Sequence, residues 1–254
     1  MIGGRRRTVL ALLVVLVVVP LLVAAGGRSK MARHWSETRW DSSGGLPPVA
    51  TTPEALIRVY AARTWGWKGV VAVHSWLVVK PEGAAAYDRY EVVGWGVRAG
   101  REAIRKNLRP ADGFWAGNPP ELVAELRGPA AQAAIPRIER AIAAYPYRDV
   151  YRTWPGPNSN SFVAAILREV PELGAALPPT AIGKDFLPNG APFARAPSGT
   201  GIQLSLLGLL GLTLAVEEGL EVNVLGLVVG LDPKRLAIKL PGIGRVGLLA
   251  PSAG

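Results

Sequence analysis

The sequence predicts an α+β protein. An antiparallel sheet packs with two or three helices, one N-terminal transmembrane helix precedes it, and an aliphatic β-meander follows. Three observations carry this reading. Near its start the chain has an uncharged run from Thr8 to Gly27. Segments rich in β-branched residues then alternate with two stretches of helical period. All eight Trp and all six Tyr lie at or before Trp154, so the last hundred of 254 residues hold neither. The expected divisions are a membrane anchor or signal segment over 1–27, a linker over 28–52, an α+β body over 53–200, and a meander packed on the body over 201–254.

The N-terminal run comes first. At 1.5 Å per residue, about 20 apolar residues span roughly 30 Å of hydrocarbon. Membrane helices tolerate a proline such as Pro20. Arg5, Arg6 and Arg7 favour a cytoplasmic N-terminus, although Arg28, Lys30 and Arg33 oppose them. Val23-Ala24-Ala25 would suit cleavage of a signal peptide, but the apolar run is longer than such peptides use, which favours an anchor. The expected location is the inner (cytoplasmic) membrane, single-pass, with the body on its periplasmic or extracellular side.

The net charge of +10 belongs largely to this end. Six basic residues precede Glu37, the first acid; without these six the 29 become 23 basic against 19 acidic, a net of +4. That is an ordinary solvated surface, so no nucleic-acid partner is expected. Cysteine is absent and only His34 and His74 are present, which disfavours disulfides, thiolate chemistry and a metal cage. No metal or cofactor is expected.

Residues 28–52 read as a linker, with Trp35 and Trp40 near the headgroups. Thr52 and Pro53 suit the start of a helix, and Leu56, Val59 and Tyr60 fall on one helical face, so Pro53–Ala62 is predicted helical. Lys68–Lys80 reads as a long strand, Pro81-Glu82-Gly83 as a turn and Tyr87–Val97 as the antiparallel partner. Glu121–Arg127 is a third strand. From Gly128-Pro129 to about Tyr145 the spacing of Ile135, Ile138 and Ile142 predicts a helix that Pro136 starts or kinks. A further helix carries Phe162, Val163, Ile166, Leu167 and Val170, and Pro171 stops it. Residues 172–200 are proline-rich connections, and the meander turns at Glu217–Gly219 and Asp232–Lys234.

Two places hold candidate chemistry. His74 lies mid-strand and is either a packed, hydrogen-bonded core histidine or a general base. Asn158-Ser159-Asn160-Ser161 opens the second helix and supplies either its N-cap or a nucleophile beside free backbone amides. Gly242–Gly247 spells a dinucleotide fingerprint, but the seven residues after it, Pro251 among them, leave no room for the required helix.

The strings HSWLVVKPEGA, YEVVGWG, GNPPELVAELRG, IPRIERAIAAYPY, YRTWPGPNSNSF and LPPTAIGKD resemble an uncharacterised bacterial family, the domain of unknown function numbered 3750, over roughly residues 65–250. That family implies no established activity. A more distant resemblance is to circularly permuted papain-like proteins of the NlpC and lecithin:retinol acyltransferase-like groups. Those place a strand His first and a Cys later, at a helix start, often as Asn-Cys-x-x-Phe-Val. Here Asn158-Ser159-Asn160-Ser161-Phe162-Val163 has Ser at the Cys position. The resemblance implies His74 as base, Ser159 as nucleophile and Glu91 as the third polar member on the next strand. Serine is a weaker nucleophile than cysteine and needs an adjacent base, so a Ser–His separation of about 3 Å is the geometry to look for.

Three functions follow as expectations. One is a non-catalytic envelope protein binding a cell-wall, lipid or protein ligand in the old cleft. Another is a serine-dependent acyl-transfer hydrolase or amidase. The third is a membrane-associated structural protein whose aliphatic sheet contacts the bilayer or a partner, which exposed apolar surface would favour.

Overall fold

The computed structural model describes residues 8, 11–12, 14–27 and 38–248. The expectations resting on Arg5–Arg7, Arg28, Lys30, Arg33, His34 and Trp35 lie outside the described residues. Helical residues Val14–Val18 lead into α1 (Val19–Gly26). No helix among the described residues is long and apolar enough to cross a membrane.

The chain is α+β, with two antiparallel sheets and few helices. The first sheet is built from β1 (Leu56–Arg63), β2 (Val73–Lys80), β3 (Asp88–Val92), β4 (Ile104–Lys106) and β5 (Glu121–Arg127), in the order β4-β3-β2-β1-β5. One short helix, α2 (Lys68–Val71), joins β1 to β2.

The helix predicted at Pro53–Ala62 is therefore strand β1. Its two faces are both buried, which erases the alternation that would have identified it. Ile57, Val59 and Ala61 face one core, while Tyr60 and Ala62 face another. The helical spacing of Leu56, Val59 and Tyr60 is coincidental. The predicted strand Lys68–Lys80 begins with the turn of α2. The predicted strand Tyr87–Val97 is confined to β3, because Gly94 and Gly96 follow and Gly96 takes a left-handed φ of 80°.

Helices α3 (Gly128–Ala143) and α4 (Ser159–Leu167) cover the face of Ile57, Val59 and Leu77. Ile135, Ile138 and Ile142 are buried there as their spacing predicts. Pro136 neither starts nor ends α3; it lies within the helix, and its residue is exposed. The opposite face of the sheet carries Tyr60, Trp76, Val78, Val93 and Trp115. Trp40 packs here, edge-on to Trp95 and Trp115. Asp112 accepts hydrogen bonds from Ser42 Oγ at 2.7 Å and Leu46 N at 3.2 Å. Residues 38–46, read as linker, are thus pinned to the body.

The second sheet runs in order from β6 (Phe193–Arg195) through β7 (Gly201–Leu206), β8 (Leu210–Ala215), β9 (Gly219–Val224), β10 (Leu227–Asp232) and β11 (Ala237–Leu240) to β12 (Gly244–Gly247). The meander and both of its predicted turns are present. Its orientation differs from an aliphatic sheet packed on the body: Gln203, Ser205, Thr213, Glu221, Asn223 and Lys239 point inward and are buried. Most of the Leu, Val and Ile residues between them point outward.

That polar seam is fully engaged. Gln203 Nε2 donates to Asp185 Oδ1 at 2.5 Å and to Thr213 Oγ1 at 3.1 Å. Glu221 receives Lys239 Nζ at 2.5 Å and also pairs with Lys184. Buried polar groups are tolerable when partnered this way.

Candidate functional site

The site forms where β1 ends and β2 begins, so that both faces of the first sheet reach it. Val73, the first residue of β2, pairs with Arg63, the last of β1. The start of α4 is pinned to this end. Asn160 Nδ2 donates to Val73 O at 3.0 Å and Ile182 O at 2.8 Å, and Ser75 Oγ donates to Asn160 Oδ1 at 2.8 Å. The N-cap is Asn158, whose Oδ1 accepts from the amides of Asn160 and Ser161 at 3.0 and 3.1 Å. Ser161 Oγ accepts from Asn158 N in return, closing a capping box. Asn158 Nδ2 donates to Thr153 O and Ile182 O, both at 3.1 Å. Gly183 lies against this side chain, and a Cβ there would meet Asn158 Nδ2 at 2.2 Å.

Ser159 is therefore the first residue of α4 and not its cap. It is 3% exposed, and among the described residues its hydroxyl makes no hydrogen bond.

His74 and Glu91 meet. His74 Nε2 lies 2.8 Å from Glu91 Oε2, with both side chains buried. Strand period places His74, Trp76 and Glu91 on one face, while Ser75 points to α4. Arg89, one residue pair further along that face, donates from Nη2 to Glu91 Oε2 at 2.9 Å. Its Nε sits 2.9 Å from Oε1 as an ion pair without hydrogen-bond alignment. The guanidinium also lies 4.1 Å from the centre of the Trp76 ring.

Burial would raise the Glu91 carboxyl, but the His74 hydrogen bond and the Arg89 charge outweigh it and hold the group below the ordinary carboxylate range. Burial pushes His74 down, and the Glu91 hydrogen bond and charge only partly offset this. An ionised Glu91 can only accept, so the proton of the neutral imidazole sits on Nε2 and Nδ1 carries the lone pair. The ring stacks on Trp115 at 3.4 Å between centres and 3° between planes, and Trp115 stacks in turn on Trp95 at 5.4 Å and 9°.

These residues wall a cleft of about 630 Å³. His74 and Ser159 both line it, with Trp65, Trp67, Trp95, Trp115 and Trp154. Trp154 is held over one side by donating Nε1 to Leu225 O at 3.0 Å. Lys68 is the one Lys, Arg, Asp or Glu residue among the lining residues. The structure thus brings His74 to Glu91 by a direct hydrogen bond and brings Ser159 into the same cleft. Among the described residues no hydrogen bond joins His74 to Ser159, because α4 packs on the sheet face opposite the imidazole.

Sequence reasoning missed Arg89 and Trp115. Arg89 carried a signal: it stands two residues before Glu91 on a strand, hence on the same face. Trp115 carried none, since the loop that brings it over His74 has no period. Among the described residues no group of three or more His, Cys, Asp or Glu side chains is placed to hold a metal ion.

A family described as Protein of unknown function (DUF3750) matches residues 54–186, slightly over half the chain. The chain belongs to this family. The match ends before the meander, so it is shorter than the stretch from 65 to 250 that the sequence strings suggested. No curated protein and no solved structure matches the chain.

Proposed function

We propose that this member of the family is a membrane-anchored protein of the bacterial cell envelope that binds an amphipathic ligand in the tryptophan cleft. The observation that carries the reading is the cleft itself. Trp65, Trp67, Trp95 and Trp154 remain 40–75% exposed in its wall. An aromatic side chain carries roughly 150–250 Å², and burial is worth about 25 cal/mol per Å², so covering these rings with an apolar body yields several kcal/mol. Lys68 and the polar start of α4 suit an acidic or hydrogen-bonding head, as in a fatty acid or a lipid-linked wall intermediate. The uncharged run Thr8–Gly27 supports anchoring, as do Val15, Leu22 and Val23, exposed on its helical residues. The anchor would be single-pass in the cytoplasmic membrane, with the body outside the cytoplasm.

A second reading is favoured by His74, which lines the same cleft and is bonded behind it to the buried Glu91. In it the fold is permuted papain-like and the protein is a serine-dependent acyl-transfer hydrolase or amidase. Ser159 is the nucleophile, His74 Nδ1 the base, and Glu91 the group that orients the ring.

One experiment separates the two. The full chain in mild detergent is titrated with a bromine-tagged dodecanoate, which quenches tryptophan fluorescence on contact. Binding predicts saturable quenching that Thr64→Trp, which fills the cleft wall, removes. An activated p-nitrophenyl dodecanoate serves as the chemical arm. Acylation of Ser159 that is lost in Ser159→Ala selects the second reading. Unsaturable quenching that Thr64→Trp leaves unchanged, with no acylation, refutes both.

A further inference from the structure

The meander is inside-out for a sheet in water. Register places Leu204, Leu212, Val222 and Val229 in one outward row across β7–β10, and Leu231, Ile238 and Val246 in another across β10–β12. Leu204, Leu212 and Val222 are mid-sheet, where a monomer hides its apolar side chains, yet they are 42–45% exposed. The inward row that packs on the body is instead Gln203, Thr213, Glu221 and Lys239. Burying this polar row requires the partnered network described above, while the aliphatic face gains nothing from water. An apolar surface of this extent marks a contact.

We infer that the outward face of the meander lies on the lipid bilayer, as a sheet resting in the membrane interface. Two features choose lipid over protein. Protein interfaces concentrate Trp, Tyr, Met and Arg at their centres, whereas this face holds Leu, Val and Ile, with Phe193 at its edge. Among the described strand positions its one charge is Arg195, also on edge strand β6, where anionic headgroups would meet it.

The apolar N-terminal segment borders the same sheet. Leu21 and Ala24 of α1 pack against Gly242 in the β11–β12 turn, and Val14–Val18 touches β10. The sheet rests on the surface and does not span. Its six-residue strands reach about 20 Å, and its polar face is committed to the body. This placement rests on the anchoring part of the proposed function. It also sets the cleft beside lipid, because Leu227 both lines the cleft and pairs with Val224 on this face.

The chain has no cysteine, so single labels are clean. Full-length Leu212→Cys and Val222→Cys carry an environment-sensitive nitrobenzoxadiazole label, and Glu139→Cys on exposed α3 serves as control. Vesicles of phosphatidylcholine and phosphatidylglycerol contain doxyl-labelled lipid. The expected result is a blue shift and loss of intensity at 212 and 222, with neither at 139. Flotation of the chain with labels at 212 and 222 as wet as at 139 would leave the anchor standing and overturn the lipid-facing sheet. Quenching between labelled copies without quenching by doxyl lipid would assign the face to a second copy and also overturn it. Absence of flotation would overturn the anchor and the sheet placement together.

Discussion

Glu91→Ala is expected to lower the stability of the full chain by about 3–5 kcal/mol, the range for leaving one partner of a buried ion pair unmatched. Arg89 is fully buried, and among the described residues Glu91 is the one carboxylate paired with it. The variant also frees His74 Nε2, which among the described residues donates to Glu91. The remaining contact of Arg89 with the Trp76 ring and its hydrogen bond to Pro110 O at 3.0 Å recover only part of the loss. Urea midpoints in mild detergent would measure it. Stability should fall with pH in two steps of the same sign. The folded His74 has a depressed pKa, so below its unfolded value of about 6.5 the unfolded chain binds a proton that the folded chain does not. Glu91 is depressed too, so its contribution is present above the unfolded carboxylate value and is lost as pH falls through the folded one. Glu91→Ala should remove the second step at this site.

Glu221→Ala is expected to cost a similar amount, about 3–5 kcal/mol, for a related reason on the other sheet. Its two oxygens take Lys239 and Lys184, both buried. Burial would raise its carboxyl, but the two ammonium charges outweigh this and hold it below the ordinary range. Removing it leaves two cations under the meander, with Asp185 and Glu218 as carboxylates acting on Lys184 but neither in an ion pair with it among the described residues. Replacing Lys184, Glu221 and Lys239 together by Met, Leu and Met should return most of the loss, since apolar substitutes of similar volume match or exceed buried ion pairs. If the single variant unfolds no earlier than the parent, the seam is wetter than its burial implies.

The two sheets differ in how far the sequence exposes them. Ile135, Ile138 and Ile142 announce α3 because one stripe of that helix is apolar. β1 hides itself because both its faces are covered, so Leu56–Ala62 satisfies a helical template as well as a strand. In the meander the alternation of Gln203, Leu204, Ser205 and Leu206 identifies a strand and its two faces. It cannot say which face meets the body, since period is blind to side. Lys184 and Asp185 decide that, from a segment that reads as a loop. At the site, Glu91 comes from the papain-like resemblance as the polar residue on the strand after His74, and the two adjacent strands do bring that pair together. The start of α4 brings Ser159 to the same cleft as His74. Its separation from the imidazole follows from Ser75, not His74, facing that helix, which a linear order of motifs does not encode.

In the proposed function, His74 sits neutral in the wall of a cleft that takes an amphipathic ligand. Imidazole NMR tests it directly, because the chain has only two histidines and His34→Gln leaves one. The expected result is a single neutral ring protonated on Nε2, titrating below the value of a free imidazole. Its signal should shift saturably when dodecanoate is added. A ring that titrates as it would in water, and whose signal is indifferent to dodecanoate, would place His74 outside any ligand-binding wall.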